Sequence, residues 1–109
     1  MEDILLVFTH LPDAETAATL AAHLVEERLA ACVNVLAPCR SVYRWQGKTE
    51  DAREVPLLAK TTAVRYAALE KAIRERHPYE LPEIVAVPVT RGLPDYLAWV
   101  AAQSEAEAP

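Results

Sequence analysis

The longest regular pattern in the chain alternates with a period of two and runs from Cys32 to Thr61. In the first arm, Cys32 to Trp45, Val33, Val35, Ala37, Cys39, Ser41, Tyr43 and Trp45 share one face. Asn34, Arg40, Arg44 and Gln46 take the other, as in a half-buried strand. Gln46-Gly47-Lys48 supplies a tight turn in which Gly47 is free to take a positive φ. The return arm, Lys48 to Thr61, starts charged and ends apolar at Val55, Leu57, Leu58 and Ala59. An arm of this length, fully extended, reaches about 45 Å, whereas a domain of this size is only about 35 Å across. Such an arm must bend, project or pair with another copy. It reads as an oligomerisation arm.

The remaining elements follow from shorter patterns. Ile4 to Thr9 is an apolar run that predicts a strand buried on both sides, broken by His10-Leu11-Pro12. Asp13 then caps a helix to about Ala30, with Ala17, Leu20, Ala21, Leu24 and Val25 as its buried stripe. Thr61-Thr62 cap a second helix, Ala63 to about Arg76, with Ala68, Leu69, Ala72 and Ile73 as apolar positions; Pro78 ends it. Glu83 to Thr90 is a further strand, and Asp95 caps a short last helix before a tail, SEAEAP, that should fray.

The order is β-α-β-β-α-β plus a terminal helix, an α+β ferredoxin-like arrangement with an antiparallel sheet in a single domain, residues 1–109. In that sheet the first and third strands are central. Proline suits edges, and Pro38 and Pro88 fall in the second and fourth strands. Pro56, in the third, predicts a bulge or an interruption of the ladder.

Composition narrows the function. A formal net charge of −5, with Lys and Arg scattered, argues against sequence-independent nucleic-acid binding. No apolar stretch is long enough to span a membrane, and no signal peptide pattern opens the chain. Two cysteines cannot frame a disulfide-rich secreted domain, so the cytoplasm is the expected compartment. There is no GxSxG, GxxxxGK[ST] or HExxH pattern. With glycine only at 47 and 92, a glycine-rich phosphate cradle is excluded, and the loop after the first strand, THLPDA, lacks the glycines of an acylphosphatase-type anion loop. The chain reads as a binding protein, not an enzyme.

Three places could carry chemistry. The thiolate of Cys32 suits Cu(I) or Zn(II), although free cysteine is among the most buried residue types, which favours a core role. Cys39, seven residues on, falls on the opposite face of a regular strand, so the two sulfurs neither chelate one ion nor form a disulfide unless Pro38 inserts a bulge. His77 and Glu80, in HPYE, offer half a Zn or Cu site, or else a histidine that satisfies a helix end. Tyr43, Arg44 and Trp45 crowd the hairpin tip with the residue types of an interface anchor. Arg40 and Arg44 face Glu50, Asp51 and Glu54 across the turn, which predicts cross-strand ion pairs.

Taken together, Glu27-Arg28-Leu29-Ala30-Ala31-Cys32-Val33-Asn34, Ser41-Val42-Tyr43-Arg44-Trp45 with Gly47, Lys60-Thr61, His77-Pro78-Tyr79-Glu80 with Pro82-Glu83-Ile84, and Tyr96-Leu97 with Trp99 resemble the CutA divalent-cation-tolerance proteins. The resemblance covers about Val7 to Trp99. It implies a ferredoxin-like fold, a homotrimer built by pairing hairpins, and tolerance of copper and other divalent metal ions, with no cofactor required. Family proposals for a metal site fall on Cys32, His77 and Glu80. Cys39 inherits no role, and Ala37-Pro38 replaces a common Pro-Gly. The rival expectation is a trimer similar to the PII nitrogen regulators, binding an effector or protein partner between subunits. Those carry a long loop where this chain has Gln46-Gly47-Lys48.

Overall fold

The computed structural model describes residues 3–106. The elements are β1 (Ile4–Leu11), α1 (Ala14–Glu26), β2 (Cys32–Val35), β3 (Cys39–Trp45), β4 (Lys48–Thr62), α2 (Tyr66–Arg76), β5 (Val85–Pro88) and α3 (Pro94–Gln103). They form an antiparallel sheet in the order β2-β4-β1-β5, with β3 also pairing β4. The ferredoxin-like order is therefore present, β1 and β4 are central, and Pro88 ends an edge strand.

One face of the sheet is closed. Val7, Leu11, Val55, Leu57 and Ala59 project from it against Ala17, Leu20 and Leu24 of α1 and Leu69, Ala72 and Ile73 of α2. This is the main core. β1 is not buried on both sides as its apolar run suggested. Val7, Thr9 and Leu11 are sealed, but Leu6, Phe8 and His10 on the other face are only half-buried. The strand also continues through His10 and Leu11, which pair with Pro56 and Val55. Along α1, Val25 leaves the expected stripe and is 42% exposed, and in α2 Ala68 is likewise exposed.

The second face is covered only at one end. Val100 of α3 packs on Ile4 and Ala31, with Val89, Leu97 and Ala101 around them. Beyond that patch Phe8 and Leu6 stand beside Val85 and Val87, which are 50% and 44% exposed.

The long hairpin is not one continuous alternation. Val35 opposes Leu57 and Cys39 opposes Glu54, four steps along the first arm against three along β4. One extra residue in Leu36-Ala37-Pro38 therefore shifts the register, and a one-residue shift sends every later side chain to the other face. Val33 and Val35 sit opposite core residues, whereas Cys39, Ser41, Tyr43 and Trp45 lie on the open face. The expectation of a single shared face is corrected accordingly. Pro56 lies where the ladder breaks. Its carbonyl accepts from the Leu36 N–H at 2.9 Å, and its own missing N–H removes the reciprocal bond of that pair. At the tip, Gln46 (φ 49) and Gly47 (φ 80) form a two-residue turn with both φ angles positive.

Element ends also differ from the pattern. α1 stops at Glu26, four residues before Ala30, because Arg28 turns into the left-handed region at φ 56. The Arg28 guanidinium then crosses to α3 and donates to the carbonyls of Ala102 (2.9 Å) and Glu105 (2.6 Å). Arg65 in turn donates to the Arg28 carbonyl. Ser104, expected in a fraying tail, is buried and bonds back to Val100; residues 107–109 lie outside the described residues. α2 starts at Tyr66, after a turn in which the Thr62 hydroxyl accepts from the Arg65 N–H. α3 is entered through Leu93 and Pro94, with Asp95 in its first turn and not at its cap. Asp13 does cap α1, accepting from the Thr16 N–H at 2.7 Å.

Candidate functional site

The segment after α2 folds back on the end of β1, and His77 holds it there. Its Nδ1 accepts from the Tyr79 N–H at 3.1 Å, which fixes the proton on Nε2. That N–H donates to the His10 carbonyl at 2.6 Å. The ring is buried and packs on Tyr79, with centroids 4.7 Å apart. Burial holds its pKa below the usual histidine value, partly opposed by the His10 carbonyl and the charge of Glu54. Both ring nitrogens are engaged within the chain, so a metal would have to displace one of these bonds. Tyr79 is also shielded; burial first, then the Glu54 carboxylate, push its phenol up to about 12. Glu80, next along, is exposed at the rim.

The clasp closes one side of a cleft of about 700 Å³. The other side is the hairpin. The register shift turns Ser41, Tyr43 and Trp45 toward it, and Glu54 of β4 lies on the same face, opposite Cys39. His10 enters from β1, and Leu81 and Glu83 from the loop. The His10 Nδ1 is buried without a hydrogen bond and stands 3.4 Å from Glu83 Oε2, near enough for an ion pair when His10 is charged. Glu54 is only 8% exposed.

Cys32 is elsewhere. It opens β2 opposite Lys60, half-buried on the open face, with its Sγ 3.9 Å from Asn34 Oδ1. His77 bonds the carbonyl of His10, whose β4 partner is Pro56. Four positions of β4 separate Pro56 from Lys60, about 13 Å, so one chain does not bring Cys32 and His77 into one coordination shell. Among the described residues no three His, Cys, Asp or Glu side chains converge on a point that could hold a metal ion. Cys39, thanks to the bulge, shares the face of Cys32, but six positions of β4 keep the sulfurs about 20 Å apart. The expectation that they form no pair stands on distance, not on opposite faces.

Tyr43, Arg44 and Trp45 are exposed at the hairpin tip. Tyr43 and Trp45 line the cleft, while Arg44 faces the opposite way beside Thr49. Of the expected ion pairs, Arg40 reaches Asp51 with two guanidinium nitrogens, and Arg44 finds no acidic partner among the described residues. Glu54, read as a cross-strand partner, is instead turned into the cleft. Its position just before the apolar run Val55 to Ala59 was the one available signal. A second feature escaped the sequence pattern: Tyr96 and Trp99 stack at 5.6 Å on α3, and Lys60 reaches the Tyr96 ring at 5.7 Å.

Residues 5–103 match the family model described as CutA1 divalent ion tolerance protein. A Thermus thermophilus protein named divalent-cation tolerance protein CutA is 45% identical over 100 residues, 92% of this chain and 95% of that protein. The crystal structure of CutA from Xylella fastidiosa superposes with a TM-score of 0.92 at 46% identity, covering 94% of this chain and 99% of that one. A structure from Archaeoglobus fulgidus, described as a periplasmic divalent cation tolerance protein, superposes at 0.90 with 34% identity, covering 94% and 99%.

Proposed function

This chain belongs to the CutA1 divalent ion tolerance family, and from that membership we propose how it serves divalent-cation tolerance. It acts in the cytoplasm as a homotrimer that meets copper or other divalent ions weakly, at positions a neighbouring subunit completes, and without catalysis. The observation that carries this reading is the dispersal of the candidate ligands. Structural Zn and Cu sites use three or four ligands, and no such group converges among the described residues of one chain. Cys32 offers its thiol on the open face, and Glu80 offers a free carboxylate at the cleft rim. His77 joins only by giving up a bond to Tyr79 or His10. Each contributes a partial shell, and partial shells bind weakly.

The oligomer is supported by the half-covered sheet face and by the aromatic tip of a molecule 45 Å long in its greatest dimension. Tyr43, Arg44 and Trp45 would be the anchors. A PII-like signalling trimer is less well supported, because only Gln46 and Gly47 separate the two arms.

The test is a calorimetric titration of reduced protein with Cu(I), Cu(II) and Zn(II), beside Cys32→Ser and His77→Ala, with the oligomeric mass measured by light scattering. Saturable binding lost in either variant at unchanged three-chain mass supports the assignment. Binding that both variants retain removes these residues as ligands, and a one-chain mass for the wild type removes the trimer.

A further inference from the structure

The back of the hairpin differs from its aromatic side. β4 keeps its period of two throughout, so Thr49, Asp51 and Arg53 continue the side of Val55, Leu57 and Ala59. The core under the helices reaches as far as Val55, and beyond it Arg53, Asp51 and Thr49 are exposed. Across the ladder they stand opposite Arg40, Val42 and Arg44. Together they form a bare strip, on the reverse of the face that carries Tyr43 and Trp45. Its centre is Val42, 64% exposed, with three guanidiniums and one carboxylate around it. Arg40 and Arg53 are directly opposed, a pairing of like charges that costs stability unless an anion answers it. Asp51 answers Arg40, and among the described residues neither Arg53 nor Arg44 has an acidic partner.

Charge is also divided unevenly along the chain. Residues 39–54 hold four of its 11 Lys and Arg but only three of its 16 Asp and Glu. The arm is thus the basic part of an acidic protein, and the acidic surface it complements is present on every other copy. We propose that this strip docks on a second copy of the chain, which covers Val42 and supplies carboxylates to Arg53 and Arg44. An apolar centre ringed by charges at the rim is the usual anatomy of such a contact. The proposal rests on the oligomer reading above and deepens it. The arm engages its neighbours by two faces, one aromatic and one cationic, and the cationic face makes assembly sensitive to salt. Arg53 is the residue that separates the two contributions, because it lies on β4, away from the aromatic tip.

The test follows the mass of the full chain by light scattering through a dilution series. It is run at about 0.05 M and about 1 M sodium chloride, the latter screening charges beyond roughly 3 Å. At low salt Arg53→Glu should raise the dissociation midpoint by at least about tenfold, and most of that difference should vanish at high salt. Arg53→Gln should fall between that variant and the wild type. Lys71→Glu, the same charge change at an exposed position of α2, should behave as the wild type. If the wild-type oligomer survives all dilutions, the reassembly rate of urea-dissociated chains replaces the midpoint, with the same tenfold expectation. Should Arg53→Glu fail to fold, Arg53→Gln and the salt dependence of the wild type decide the matter. Arg53→Glu equal to the wild type overturns the proposal, and an acidic partner of another kind on the strip would give that result. Equal losses in Arg53→Glu and Lys71→Glu, or a loss undiminished at high salt, overturn it as well. A one-chain mass for the wild type removes the oligomer reading too, whereas a three-chain wild type matched by Arg53→Glu removes this proposal alone.

Discussion

The two faces of the sheet carry similar side chains and have opposite fates. Leu57 and Leu58 are neighbours on β4, yet Leu57 is sealed under α1 and α2 while Leu58 faces the half-open side. Likewise Val7 is fully buried, and Phe8 beside it is not. A period of two assigns alternate residues to opposite faces, but only the placement of helices decides which face becomes interior. An apolar face left uncovered in one chain is the mark of an association surface. The closed face holds the domain together, and the open face is the one left for association in the oligomer proposed above.

The largest expected effect tests that division directly. Leu57→Ala should cost about 2–5 kcal/mol of stability, the range for truncating a fully buried leucine. Leu58→Ala should cost less than about 1.5 kcal/mol in the isolated chain. In an oligomer the cost of the second change should rise with protein concentration. Urea unfolding at two concentrations measures both. Equal, concentration-independent losses would break the comparison.

Arg28 ties the two sides together, because the turn ending α1 on the closed face caps the helix covering the open one. Arg28→Ala should destabilise the fold by about 1.5–3 kcal/mol, through two lost charged hydrogen bonds and an alanine forced to a positive φ. Arg28→Gly keeps the turn and loses only the bonds, so it should fall between alanine and wild type in thermal melts.

The closed face also contains a flaw. The Thr9 hydroxyl is buried without a hydrogen-bond partner. Thr9→Val removes an unanswered polar group at constant shape and should stabilise the protein by about 1 kcal/mol. A loss of similar size would show that the hydroxyl is bonded in solution.

The smallest effects concern the clasp where the two faces meet. His77 has a folded pKa below its unfolded value, so the unfolded chain binds the proton more readily. Its contribution is complete above the ordinary value of 6.5 and declines as pH falls toward the depressed folded value. His77→Gln should flatten that acid limb in a series of melts. Tyr79 behaves in the opposite sense. Its contribution is full below 10.0 and is lost as pH rises toward about 12. Ultraviolet titration should therefore find one tyrosine that ionises late, absent in Tyr79→Phe.

Much of this molecule is legible from residue order. The alternation of β4, the Asp13 cap, the Gln46-Gly47 turn and the order of elements depend on neighbours a few positions apart, and short-range sterics and hydrogen bonding decide them. The family, too, is written in local motifs such as HPYE and SVYRW. The face on which Tyr43 and Trp45 lie was not legible. It turns on one extra residue near Pro38, and a one-residue slip is invisible to periodicity yet inverts every side chain beyond it. The separation of Cys32 from His77, the double engagement of the His77 ring and the burial of Glu54 are also tertiary outcomes. They depend on where a loop after α2 meets a strand about 67 residues earlier in the chain. Local chemistry determined which elements form and which family they belong to. Packing between distant segments decided which side chains share a cleft, because burial and charge pairing act across space and not along the chain.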